Sequence, residues 1–188
     1  AALRGVVGAS RVGAMLDLGA GTGRMLELFA PQYRRGVGVD LSREMLDVAR
    51  ANLERAGISH AQVRHGDLFA APVEHGAFDL VIMHQVLHYL DDPVVAIREA
   101  ARFLRPAGRL VIVDFAPHHH EFLREHHQHV RLGFADDAIA AAFSQAGLDA
   151  HRPVAIAPAA PEGLTVMIWS ARDPRLLIAQ TETAQEYA

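Results

Sequence analysis

The segment "AMLDLGAGTGR", residues 14–24, joins an apolar run to three glycines at alternate positions. A short apolar run bounded by glycines predicts a buried strand, and residues 22 to about 29 predict a helix. Glycines between a strand and a helix let the backbone turn sharply and approach a ligand, which then meets the N-terminus of the helix. The segment therefore predicts a strand, a ligand-binding loop and a helix, although a tight turn without a ligand fits the glycines alone.

Strand and helix patterns alternate along the rest of the chain. Ser42 is predicted to cap a helix that ends at Gly57, Asp92-Pro93 to start another, and Asp136 to lead into an alanine-rich third. The repeated alternation predicts a parallel sheet with helices on both faces. The further predicted strands are 36–41, 61–67, 78–85, 108–115 and 164–172.

The composition is that of one globular domain without thiol chemistry. The 188 residues are 51% hydrophobic and 21% charged, with a net charge of -4 and no cysteine. The lack of cysteine excludes disulfides, thiolate nucleophiles and cysteine zinc sites in this chain. The acidic balance argues against direct nucleic-acid binding. Neither a membrane span nor a signal-peptide pattern is present, so we predict a cytoplasmic protein that does not enter a membrane.

Carboxylates near the predicted strand ends narrow the choice of ligand. Asp17 precedes Gly19 by two residues, where it would repel a pyrophosphate but suit an ammonium or sulfonium group. The glycine spacing also departs from the GxGxxG pattern of dinucleotide-binding domains, which disfavours a dehydrogenase. Asp40 ends the second strand, where it can accept hydrogen bonds from ribose hydroxyls. Asp67 ends the third, where it can bind an adenine amino group or simply cap a turn.

Five motifs in order resemble the class I S-adenosylmethionine-dependent methyltransferases, over about residues 12 to 172. They are "LDLGAGTG", "GVDLSREML", "HGDLF", "FDLVIMHQVLHYLDDP" and "LRPAGRLVIVDF". The resemblance implies an α/β, Rossmann-like, seven-stranded and mostly parallel sheet whose last strand, 164–172, is antiparallel. It also implies a methyltransferase domain over 1–172, with a tail or linker over 173–188, and S-adenosyl-L-methionine as cofactor.

Carried over position by position, the resemblance implies thirteen cofactor-binding residues. Those around the methionine part of the cofactor are Asp17, Gly19, Ala20, Gly21, Gly23, His84 and Gln85. Those around the adenosine part are Asp40, Leu41, Met45, Gly66, Asp67 and Leu68.

The histidine-rich segment "DFAPHHHEFLREHHQHVRLGF", residues 114–134, is similar to methyltransferase domains that follow arsenic-repressor-type winged-helix regulators in bacteria. The similarity implies a bacterial protein with a winged-helix domain before residue 1. No helix-turn-helix is predicted within the chain itself. Arsenite is rejected as the acceptor, because that chemistry holds arsenic on cysteine thiolates.

Histidines supply the candidate catalytic residues, since a base is needed where the acceptor loses a proton on attack. They are His88, after the fourth strand, and His119 and His120, after the fifth. Three interpretations of the histidine-rich segment stay open: a lid over the substrate, a metal site, or a solvated helix with Phe122, Leu123 and Val130 inward. Its spacing argues against a single ion, and we predict no metal.

Two functional hypotheses follow from the sequence. The first is an S-adenosylmethionine-dependent methyltransferase that acts on a small-molecule acceptor, with a homodimer as a further hypothesis. The second is a module that binds S-adenosylmethionine or S-adenosylhomocysteine and reports its level to a transcriptional regulator, with little or no turnover.

Overall fold

A computed structural model describes residues 2–158, 160 and 163–175. Six helices are found in this part of the chain: α1 (Ala2–Val7), α2 (Arg24–Phe29), α3 (Arg43–Arg55), α4 (Pro93–Arg102), α5 (Phe122–His127) and α6 (Asp136–Gln145). The strands are β1 (Val12–Leu18), β2 (Tyr33–Asp40), β3 (Ala61–His65), β4 (Phe78–His84), β5 (Leu104–Phe115), β6 (Asp149–Ala150), β7 (Val154–Ile156) and β8 (Val166–Arg172).

The strands form one mixed sheet in the order β3-β2-β1-β4-β5-β8-β6, with β7 also paired to β8. The first five strands are mutually parallel, and β8 runs antiparallel to β5. This arrangement confirms the predicted sheet and its antiparallel last long strand. The short strands β6 and β7 were not predicted, because β6 has only two residues and β7 is a three-residue apolar stretch between two prolines, and they bring the described strands to eight. The strand order reverses between β1 and β4, and ligands bind at such a switch point in open α/β sheets.

Helices on both faces bury the central strands completely. In β1, Met15 and Leu16 are inaccessible to solvent and belong to two different apolar clusters, one on each face of the sheet. Successive strand residues point to opposite faces, so a nearly continuous apolar run is what a doubly covered strand requires. Ser42 caps α3 as predicted, with its hydroxyl oxygen accepting a hydrogen bond from the Met45 backbone N–H at 3.2 Å.

Several boundaries differ from the predicted ones for local reasons. Helix α2 begins at Arg24, because Gly23 has the left-handed φ of 81°. Strand β5 begins at Leu104 and passes through Ala107, another left-handed residue. The start of the predicted tail packs against the domain, since the Asp173 N–H donates to the Gly108 carbonyl at 2.9 Å. The rest of that tail, 176–188, lies outside the described residues.

In the described part of the chain, none of the helices combines the length and the apolar character that crossing a membrane requires.

Candidate active site

A cavity of about 770 Å³ opens at the carboxyl ends of β1, β2 and β4, beside the switch point of the sheet. Eleven of the thirteen cofactor-binding candidates line it: Gly19, Ala20, Gly21, Asp40, Leu41, Met45, Gly66, Asp67, Leu68, His84 and Gln85. The two others, Asp17 and Gly23, do not line the cavity. The structure thus brings together residues that the sequence spreads over almost seventy positions.

The glycine loop is fixed tightly against the ends of two strands. The N–H groups of Gly19 and Ala20 both donate to the Val39 carbonyl, at 2.8 and 3.0 Å. Gly19 has a φ of +73°, and a Cβ placed there would lie 2.2 Å from Cγ2 of Val86. Any other residue would be strained at this φ and would displace the Val86 side chain, so glycine lets the loop pack closely against Val86 in the cavity wall.

Asp17 is a buried carboxylate without a partner. It is 1% exposed, and neither of its oxygens accepts a hydrogen bond from the described residues. Burial, with a smaller contribution from the charge of Asp40, raises the pKa of Asp17 to about 7. A buried polar group normally has a partner, so an unpaired carboxylate under a ligand-binding loop is suited to receive a cation.

The two other carboxylates are already held by backbone donors. Asp40 accepts hydrogen bonds from the N–H groups of Gly21 and Ser42, both at 2.8 Å. Asp67 accepts one from the Phe69 N–H at 3.0 Å and caps the 3-10 turn Leu68–Ala70. The cap interpretation of Asp67 is therefore confirmed, and the same residue lines the cavity. These bonds orient both carboxylates while leaving lone pairs available for a ligand.

His88 forms a buried pair with Asp114, a residue that the sequence analysis did not single out. The distance from Nδ1 of His88 to Oδ1 of Asp114 is 2.8 Å, and their side chains are 2% and 0% exposed. The ring of His129 lies over that of His88, with 4.1 Å between centroids. Burial, and next the neighbouring His88, lower the pKa of His129. Asp114 could have been noticed in the sequence because it is an acidic residue inside the apolar run of β5.

The histidine-rich segment folds back on the His88 turn. The N–H groups of Val130 and Arg131 donate to the His88 carbonyl at 3.0 and 3.1 Å. At the base of the segment, Gly133 has a φ of +86°, and a Cβ there would lie 2.1 Å from the Ala116 carbonyl oxygen. The segment is thus tied to the turn that follows β4.

The orientation predicted for a solvated helix in this segment is only partly right. Leu123 is buried, but Phe122 and Val130 are 50% and 41% exposed, because α5 ends at His127 and Gln128 adopts a left-handed conformation. Neither His119 nor His120 lines the cavity, and His119 is exposed. Gln128 does line it, as does Tyr89, and neither had been predicted as a site residue. Among the described residues, no group of three or more acidic or histidine side chains is arranged to hold a metal ion.

Comparison with known proteins identifies the family. The profile of the methyltransferase domain family matches residues 16–112, which is more than half of the chain. The chain belongs to this family. Its fold is that of the class I S-adenosylmethionine-dependent methyltransferases: the crystal structure of YcgJ from Bacillus subtilis superposes with a TM-score of 0.76, covering 92% of this chain and 97% of that one at 21% identity.

Three curated methyltransferases illustrate the similarity in sequence. The uncharacterized methyltransferase YcgJ of Bacillus subtilis is 33% identical over 104 residues, 55% of this chain and 41% of its own length. An arsenite methyltransferase of Aquipseudomonas alcaligenes is 36% identical over 110 residues, 53% of this chain and 32% of its own. A demethylmenaquinone methyltransferase of Chlamydia pneumoniae is 33% identical over 105 residues, 55% and 44% respectively. In each case the present chain covers less than half of the relative's length.

The cavity fits S-adenosylmethionine, the cofactor of this family. The unpaired Asp17 carboxylate suits the cofactor's ammonium group, and Gly19, Ala20 and Gly21 form part of the cavity wall. Leu41 and Met45 are large apolar side chains exposed in the cavity wall, as expected for residues that an adenine ring covers. The charge, the glycine loop and the apolar surface of the cavity are therefore compatible with this cofactor.

Proposed function

We propose that this methyltransferase acts on a small molecule. The observation that carries the proposal is the single cavity wall shared by the glycine loop, the strand ends and the tip of the histidine-rich segment. Cavities of about 300–1,000 Å³ hold drug-sized ligands, so one of this size suits the cofactor with a compact acceptor. The name of the demethylmenaquinone relative indicates a small acceptor in that protein, which agrees with the proposal.

The thirteen predicted residues are proposed to bind the cofactor in two groups. Asp17 would pair with the ammonium group, directly or through water. The methionine part would be wrapped by Gly19, Ala20, Gly21 and Gly23, beside His84 and Gln85. Asp40 would hold the ribose, and Asp67, with Gly66 and Leu68, would receive the edge of the adenine between Leu41 and Met45. Gly23 would act through the turn into α2, because its own Cα hydrogens face Ala49 rather than the cavity.

His88 is proposed as the base for acceptors that lose a proton. When bound, S-adenosylmethionine supplies a sulfonium methyl group for in-line displacement by the acceptor. Asp114 holds Nδ1 of His88 as a donor, which leaves Nε2 as the basic nitrogen of the ring. The proton leaves the acceptor for Nε2, and the resulting imidazolium is stabilised by the Asp114 carboxylate. His119 and His120 stay catalytic hypotheses that need a movement of the segment to reach the cavity.

The sensing function remains the second candidate, and one observation favours it. His88 is 2% exposed, and Tyr89 and His129 both lie against its ring, so an acceptor has little direct access to the proposed base. Four features predicted from the sequence are also kept as proposals. They are a winged-helix domain before residue 1, a homodimer, a bacterial cytoplasmic location and a domain boundary near residue 172. Arsenite is not proposed as acceptor, despite the similarity to an arsenite methyltransferase, because the chain has no cysteine.

Methyl transfer can be tested by incubating the protein with methyl-labelled S-adenosylmethionine and separate pools of phenols, amines, thiols and carboxylic acids. We expect S-adenosylhomocysteine to accumulate with at least one pool, and His88→Gln to reduce the rate by about 100-fold or more if the productive pool needs a base. Because His126 is exposed and outside the cavity wall, His126→Gln should keep full activity. Tight binding of S-adenosylhomocysteine without turnover in any pool would instead support the sensing function.

A further inference from the structure

We infer that Gln128 binds the methyl acceptor through its side-chain amide, and that the part of the acceptor it binds is uncharged. The inference rests on the proposed methyl transfer and names a residue and a substrate class for it. It depends on the backbone conformation of Gln128, on the way its neighbours are anchored, and on the distribution of charge around the cavity.

Gln128 occupies a backbone conformation that favours another residue. It follows the last residue of α5 with φ 57° and ψ 25°, in the left-handed region. Glycine is the usual residue at this position after a helix, because a Cβ is strained there. Three described residues other than glycine have positive φ, and two of them, Gln85 and Gln128, line the cavity. Strained residues concentrate at binding sites, where a side chain is kept for what it contacts.

The neighbours of Gln128 hold it at the rim of the cavity. On its N-terminal side, Leu123 is buried, and its carbonyl accepts the Gln128 and His129 N–H groups. On its C-terminal side, the His129 ring packs against the His88 ring, and the Arg131 side chain donates to the Asp91 carbonyl at 2.6 Å. Fixing the backbone on both sides of Gln128 lowers the entropy that this part of the segment must lose when the residue binds a ligand.

Charge divides the cavity into two halves. The charged lining residues Arg24, Asp40 and Asp67 all lie on the side of β1, β2 and β3, where the cofactor is proposed to bind. The side left for the acceptor is lined by Val86, Tyr89, Leu90 and Gln128, and none of these four described residues is charged. Burial lowers the pKa of His84, which keeps its ring neutral near pH 7. An ion bound on this side would lose hydration without gaining a counter-ion, whereas an amide, carbonyl or hydroxyl gains a hydrogen bond.

Three probes that share one phenol ring test the inference on protein saturated with S-adenosylhomocysteine: para-hydroxybenzamide, para-hydroxybenzoate and para-hydroxybenzylamine. Binding is measured by saturation-transfer NMR titration. We expect the neutral benzamide to bind at least about tenfold more tightly than either ion, because only the ions leave a charge without a partner. Gln128→Gly should weaken benzamide binding by about fivefold, which corresponds to one neutral hydrogen bond.

Two readouts separate the acceptor role from a structural one. Gln128→Gly relieves the left-handed strain, so its melting temperature should equal or exceed that of the wild type, and its affinity for S-adenosylhomocysteine should not change. Gln128→Glu keeps the length of the side chain but adds a charge, so it should shift the preference toward para-hydroxybenzylamine.

Equal binding of the three probes, no binding of any of them, or benzamide binding that is unaffected by Gln128→Gly overturns the inference. The proposed function is tested separately by turnover in the acceptor pools, and it would survive each of these results.

Discussion

Asp17→Asn is expected to abolish cofactor binding while making the free protein more stable above about pH 7. The carboxylate lies beneath the glycine loop with no other described partner, so the cofactor's ammonium group would provide its only compensating charge. Loss of a buried charge pair costs about 3–5 kcal/mol, which is at least a hundredfold in affinity. The asparagine has nearly the same volume, so the fold should be retained.

The gain in stability follows from the direction of the pKa shift. Folded Asp17 keeps its proton up to about pH 7, whereas the group ordinarily titrates near 3.8. The folded state therefore binds more protons between these values, and the free energy of unfolding falls as the pH rises from about 4 to 7. Asparagine has no such dependence. We expect the free energy of unfolding of the free variant to exceed that of the wild type by about 4 kcal/mol above pH 7, and to match it near pH 4.

Denaturant unfolding at several pH values and calorimetric titration with S-adenosylhomocysteine measure both effects. The same titrations should show wild-type affinity falling by about tenfold per pH unit below pH 7, where Asp17 becomes protonated. Asp149→Asn, at an exposed position, is the matched control and should change neither property. A variant that binds the ligand as tightly as the wild type contradicts the role proposed for Asp17.

His88→Ala is the second change with a large expected effect, on stability as well as activity. It leaves the fully buried Asp114 carboxylate without its 2.8 Å partner and removes the ring against which His129 packs. Removing one member of a buried charged or hydrogen-bonded pair costs about 3–5 kcal/mol. We expect a loss of this size in the free energy of unfolding, whereas His126→Ala, at an exposed site in the same segment, should have little effect.

A double-mutant cycle identifies the cause of that loss. Asp114→Asn removes the charge that His88→Ala leaves unpaired, so the double variant should be more stable than the sum of the single losses predicts, by about 1–3 kcal/mol. Additive losses would mean that the two side chains do not interact energetically, and the proposed orientation of His88 by Asp114 would then be wrong.

The sheet was predictable from the sequence because its central strands are buried on both faces. The apolar runs of β1, β4 and β5 are long and end in glycine or charged residues, and the motifs fix their order. The start of α2 and the start of β5 were not predicted, since they depend on the left-handed residues Gly23 and Ala107, whereas α2 ends at Phe29 as predicted. The short strands β6 and β7 each pair with β8, and they depend on this tertiary contact rather than on a sequence pattern of their own.

The candidate site also has one part that was predictable from the sequence and one part that was not. Its cofactor side consists of residues at the ends of consecutive strands, and the resemblance of five motifs to the methyltransferases was enough to group them. Its acceptor side depends on how the segment after β5 folds back over the His88 turn. Backbone hydrogen bonds from Val130 and Arg131 set that fold, and they bring Gln128 to the cavity instead of His119 or His120. Backbone contacts of this kind produce no periodic pattern of residues in a sequence.

The most direct test of the account is a calorimetric titration of the wild-type protein with S-adenosylhomocysteine and, separately, with NAD. We predict saturable one-to-one binding of S-adenosylhomocysteine with a dissociation constant on the order of micromolar, and no heat of binding with NAD. Binding of NAD without binding of S-adenosylhomocysteine would contradict the assignment of the cavity to a methyl donor.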